Sequence, residues 1–224
     1  MLTRSQVETT GPGSNAGRAS LLRRALRLET FTIGWNVVEG VVAIGAGWLA
    51  GSIALVGFGL DSAIEVIAAG ALYHRLRAEV RGATQEESER SERVALCIVG
   101  VTFFLLGLYI FYEAASTLWS REAPETSAAG LCLAAISMVV MPVLAWAKHR
   151  AGRSLGSEAL VADAKETFVC SYLSLTLLLG LGLNMVAGWW WADPVAALAM
   201  LPFVLYEGWE AVEHGTKECE QGHR

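Results

Sequence analysis

Asp61 and Glu65 stand four residues apart in a stretch of sequence that is otherwise apolar, and Glu166 and Cys170 repeat that spacing about a hundred residues later. On a helix, positions i and i+4 share one face, about a turn apart. Asp163, three residues before Glu166, falls on that same face. Three carboxylates and a thiolate aimed at one point supply four ligands, the usual number for Zn²⁺, which accepts Asp, Glu, Cys and His. Bare anions grouped in a low dielectric repel one another, and either a divalent cation or protons relieve the repulsion. A site that alternates between the two can couple a metal flux to a proton flux. The plainer alternative is that each acid is structural, satisfied by Ser, Thr or Asn on a neighbouring helix.

The elements that position these groups are membrane spans. The chain has 224 residues, 54% hydrophobic and only 17% charged, where a soluble domain carries about 25% charged residues. This excludes disorder, a collagen-like repeat and a disulfide scaffold. The net charge of −5 offers no basic footprint, so no nucleic-acid partner is expected. Cys97, Cys132, Cys170 and Cys219 are scattered and form no CxxC pair, unlike a zinc ribbon. Six segments approach the roughly 20 apolar residues that a bilayer requires: Thr30–Leu49, Ser52–His74, Val94–Trp119, Ser127–Trp146, Ala159–Leu183 and Pro194–Val212. The expectation is an all-α integral membrane protein, a six-transmembrane-helix bundle. Residues 1–27 read as a flexible tail, 28–213 as the transport domain and 214–224 as a short C-terminal tail. Span one is too far from the N-terminus, behind too long a basic lead-in, to be a signal peptide.

Basic residues orient the bundle. Fifteen of the 17 Lys and Arg lie in the N-terminal tail, the connectors after spans two and four, or the C-terminal tail; only Arg121 and Lys165 do not. Both termini are therefore expected in the cytoplasm, with Lys148 among the connector residues and Lys165 snorkelling from span five. Trp189, Trp190 and Trp191 fit an outer aromatic belt, and Asp193 is expected to cap span six.

Depth narrows the candidates. Glu39 lies twelve positions before Gly51, the turn between spans one and two, and position 63, between Asp61 and Glu65, lies twelve after it. Equal rise along antiparallel helices puts the three acids at one level, so Glu39 is a candidate extra ligand or proton carrier, as is Asp163. Glu113, beside Tyr109 and Tyr112, reads as interfacial, and Glu207 and Glu210 as interfacial or vestibule-lining. Cys97 and Cys132 read as core. His214, Cys219 and His223 in the tail are weak metal-ligand candidates. An intramembrane metalloenzyme would need a positioned base and a motif such as HExxH, which is absent, so no enzyme activity is expected.

The segment Gly51-Ser52-Ile53-Ala54-Leu55, followed by Asp61-Ser62-Ala63-Ile64-Glu65, resembles the GSxAL segment and second-helix DxxxD motif of the cation diffusion facilitator family, with Glu in the second ligand position. Ala162-Asp163-Ala164-Lys165-Glu166-Thr167-Phe168-Val169-Cys170 is similar to its fifth-helix ADxxHxxxD motif, with Glu166 at the His position and Cys170 at the Asp position. Ala192-Asp193-Pro194 resembles the family's ADP entry to helix six. The resemblance implies a homodimeric transporter in a bacterial inner membrane, surrounded by lipid, that exports divalent metal in exchange for protons by alternating access. Its metal site, between helices two and five, would be Asp61, Glu65, Glu166 and Cys170. No prosthetic group is implied. The thiolate favours softer metals, Zn²⁺ above all; Fe²⁺, Co²⁺, Cd²⁺ or Mn²⁺ transport, or a transport-silent metal sensor or scaffold, are the alternatives. Most family members continue into a cytoplasmic metal-binding domain, and with about a dozen residues after span six this chain is expected to be a branch without one.

Overall fold

A computed structural model describes the backbone of residues 12–81, 85–121, 125 and 127–221, and the side chains of 17–81, 100–121, 125, 127–157, 159–210, 212 and 213. Six helices run in order: α1 (Pro12–Ala50), α2 (Ile53–Arg81), α3 (Gln85–Ser120), α4 (Ala128–Leu155), α5 (Glu158–Ala187) and α6 (Ala192–Gln221). No strand occurs among the described residues. Five of the helices, α1 to α5, are long and apolar enough to cross a membrane. Glu207, Glu210 and Glu213 make α6 more polar, yet it packs along α3 and α5 within the same bundle. The protein is an integral membrane helix bundle.

Local chemistry sets the helix ends. Gly51 and Gly188 turn the chain with φ of +64° and +65°, a conformation open to glycine without a Cβ clash. Ser127 caps α4 and Ser157 caps α5 by accepting from Gly130 N and Leu160 N. α1 and α2 pack so closely that a methyl group on Gly59 would lie 2.8 Å from the Ile44 nitrogen. In a bilayer, where apolar faces gain little from meeting each other, such small-residue contacts hold helices together.

Three sequence expectations change here. Residues 12–27 are not a flexible tail: α1 begins at Pro12, and Leu22 and Ala25 are buried against Leu72, Leu76, Ala151, Leu155 and Leu160. The arginines on this stretch stay outside while its apolar face packs against α2, α4 and α5. Asp193 does not cap its own helix. It accepts from the Ser52 hydroxyl at 2.5 Å and from the Ile53 and Ala54 nitrogens at 3.0 and 3.4 Å. It thus caps α2 from α6, where a carboxylate meets the positive end of the helix dipole. This clasp joins the GSxAL and ADP segments at the end of the bundle opposite the arginines. Cys132, expected in the core, is exposed on α4; Cys97 lies outside the described side chains.

Candidate metal centre

α1 carries a buried polar stripe. Glu29, Thr32, Asn36 and Glu39 follow the helical period and are at most 1% exposed, in a helix whose other faces are largely apolar. The stripe faces α2, α4 and α5 and supports two separate charged groups.

The first lies between α2 and α5. One ligand atom each from Asp61, Glu65 and Cys170 fall within 4.8 Å of one another. Asp61 and Cys170 are buried and Glu65 is half-buried. The i,i+4 spacing on α2 brings its two acids together, and the antiparallel crossing of α5 delivers the thiol. Glu166 is not in this close triad. It lines the adjoining cavity with Glu207, Phe103 and Phe203, a turn nearer the basic end, as the i,i+4 offset from Cys170 dictates. Glu207 therefore reaches the site's vestibule from α6. The space beside the triad holds about one water-sized body, and none of its described lining residues is basic. Two unit anions 4.8 Å apart repel by about 3–4 kcal/mol at an effective dielectric of about 20. Three ionised groups at this spacing are therefore untenable without protons or a cation.

Asn36 steadies the triad: its amide nitrogen donates to Glu65 Oε2 at 2.6 Å. Sequence reasoning passed over this residue, although the stripe spacing could have found it. Glu39 sits at the predicted level but points elsewhere. Ser137 and Ser62 donate to its two carboxylate oxygens, so it is tied to α2 and α4 and is not one of the close ligand group.

The second charged group joins α1, α4 and α5 nearer the basic end. Lys148, fully buried, places its ammonium 2.5 Å from Asp163 Oδ2, 3.3 Å from Glu29 Oε2 and 3.3 Å from Thr167 Oγ1. Lys148 is thus not a solvated connector residue, and Asp163 faces Lys148 and does not line the triad's cavity. Glu29, one residue outside the expected first span, was not recognised at all. Glu113 lies outside the cavity lining, and Lys165 is exposed. Of the tail candidates, His214 and Cys219 ride on α6 with side chains outside the described residues, and His223 lies wholly outside them.

Comparison with known proteins identifies the family of the membrane domain. The family model for the cation efflux transmembrane domain matches residues 31–217. An uncharacterized transporter of Synechocystis is 28% identical over 189 residues, covering 83% of this chain and 61% of its own. A protein of Bacillus velezensis named a cadmium, cobalt and zinc/H⁺-K⁺ antiporter is 27% identical over 212 residues, covering 92% of this chain and 64% of its own. Transmembrane protein 163 of Xenopus laevis is 26% identical over 157 residues, covering 70% and 54%. The chain spans between 54% and 64% of the length of these relatives.

Proposed function

The chain belongs to the cation efflux family, a family of membrane transporters, and from that premise we propose that it exports a divalent metal ion, Zn²⁺ first, in exchange for protons. Asp61, Glu65 and Cys170 hold the ion, with Glu166 as the fourth ligand once α5 closes on it. The reading is carried by one observation: three ligand atoms within 4.8 Å, in a cavity whose described lining includes acids and no basic group.

The cavity runs from the triad past Glu166 and Glu207 toward the basic ends of the helices, which are the cytoplasmic ends if positive charge stays inside. The Asp193 clasp holds the opposite end shut. This arrangement suits loading from the cytoplasm. Metal displaces protons from the ligands, the bundle rocks, and the clasp side opens; outside protons then compete the metal off. The thiolate favours Zn²⁺ or Cd²⁺ over Mn²⁺ and Mg²⁺. Cadmium and cobalt, which stand beside zinc in the name of the Bacillus relative, are the first alternative cargoes. The bacterial relatives support a place in an inner membrane, and we take the working unit as a homodimer.

Proteoliposomes with an imposed pH gradient test this. Zn²⁺ is expected to enter those vesicles in which protons leave, and the gradient is expected to collapse faster when Zn²⁺ is supplied. Stoichiometric Zn²⁺ binding with no flux in either direction would contradict transport and favour a sensor.

A further inference from the structure

The Glu29, Lys148 and Asp163 group has an uneven geometry. Lys148 is hydrogen-bonded to Asp163 at 2.5 Å, while its 3.3 Å approach to Glu29 lacks hydrogen-bond geometry. Neither oxygen of the Glu29 carboxyl has a hydrogen-bond partner among the described residues, although the side chain is fully buried. Two carboxylates share one ammonium, so full ionisation leaves one uncompensated negative charge in the interior. A proton on Glu29 removes it and leaves a neutral Lys148–Asp163 pair, which is the pairing the distances describe.

The surroundings are otherwise silent. Among the described residues, Lys148 from α4 and Asp163 from α5 are the charged groups facing Glu29. Toward the basic end, the apolar side chains of Leu22, Leu72, Leu76, Leu155 and Leu160 separate this layer from water. In the other direction, Asp163 lies one turn of α5 from Glu166, and Glu29 lies two turns of α1 from Asn36, the donor to Glu65, so charge arriving at the metal triad is felt in this group across a low dielectric.

We infer that Glu29 is a second proton-binding site, remote from the metal ligands and coupled to them by charge. A dication on the triad disfavours the added positive charge of a protonated Glu29, and the proton leaves as Glu29-COOH becomes Glu29-COO⁻. The carboxylate then shares the Lys148 ammonium with Asp163. By linkage, protonating Glu29 weakens metal binding to the same degree. Asp163 and Lys148 position this site and hold no metal.

The inference rests on the metal-site reading above, and proton counting separates the two. Purified protein is titrated with Cd²⁺ by calorimetry in two buffers of different ionisation enthalpy, giving the protons released per ion. Glu29→Gln and Asp163→Asn each leave one ammonium with one carboxylate at most, so both keep the buried charge balanced. In Glu29→Gln no acid remains to titrate, and in Asp163→Asn Glu29 becomes the sole partner of Lys148 and stays ionised. Each variant is expected to bind Cd²⁺ with the wild-type stoichiometry and to release about one proton fewer per ion. A purely structural role would lower the melting temperature and leave the proton count alone. Equal proton release in the wild type and both variants overturns the remote site and spares the metal site. Absence of Cd²⁺ binding by the wild type overturns both.

Discussion

The molecule buries acids in two places and treats them in opposite ways. Between α2 and α5, Asp61, Glu65 and Cys170 converge, and no basic residue is among the described residues that line their cavity. Between α1, α4 and α5, Glu29 and Asp163 converge on the ammonium of Lys148. Both groups face the same desolvation penalty, which for an unpaired charge amounts to several kcal/mol. The second group meets it with a tethered cation that cannot leave. The first must recruit its positive charge from solution, so whatever it recruits is exchangeable. On the proposed reading, that contrast separates a cargo site from a group with a built-in counter-charge, and Lys148 makes the difference.

The contrast can be broken from either side. The largest effect is expected in the exchangeable group: Asp61→Ala removes a ligand, and Zn²⁺ uptake by proteoliposomes should fall by more than the roughly 10–100-fold typical of losing a supporting group. Wild-type uptake in that variant would remove the triad from the transport path. In the fixed group the effect belongs to stability. Lys148→Met leaves the Asp163 carboxylate without its counter-charge, and breaking a buried pair from one side costs about 3–5 kcal/mol. The melting temperature of the detergent-solubilised protein should drop sharply, and an unchanged melt would mean that Lys148 is not needed as a counter-charge. The smallest change is a refinement. Asn36→Ala removes the donor to Glu65 while leaving every ligand in place, and Cd²⁺ affinity should fall about 10–100-fold. Unchanged affinity would show that the Glu65 carboxylate needs no help from α1.

Much of this was legible in the residues themselves. The i,i+4 spacing of Asp61 with Glu65 and the turn at Gly51 together placed two converging acids and their depth, because helical rise and periodicity are nearly invariant. The same arithmetic put Glu39 at the level of position 63, and its carboxylate accepts from the neighbouring Ser62. What spacing cannot give is side-chain direction between helices. Glu39 shares the level of the triad yet turns to Ser62 and Ser137, and Glu166 stops a turn short of it, lining the vestibule. The second charged group was missed for another reason. Glu29 lay one residue outside a span boundary drawn by hydropathy, and Lys148 was counted with the arginines of a connector. Hydropathy averages over a window, so it blurs the margins where charged residues bury themselves in pairs. Asp193 shows the same limit: its place before Pro194 suggested a local cap, but only the packing of α6 on α2 reveals which helix it caps.

The most direct measurement is X-ray absorption at the zinc edge on Zn²⁺-loaded protein, comparing the wild type with Cys170→Ser and Glu29→Gln. The account predicts a first shell with one sulfur at about 2.3 Å and oxygens at about 2.0–2.2 Å, the sulfur vanishing in Cys170→Ser and persisting unchanged in Glu29→Gln. A shell with no sulfur in the wild type, or one that changes when Glu29 is replaced, would contradict the division between an exchangeable metal site and a fixed charged fastening.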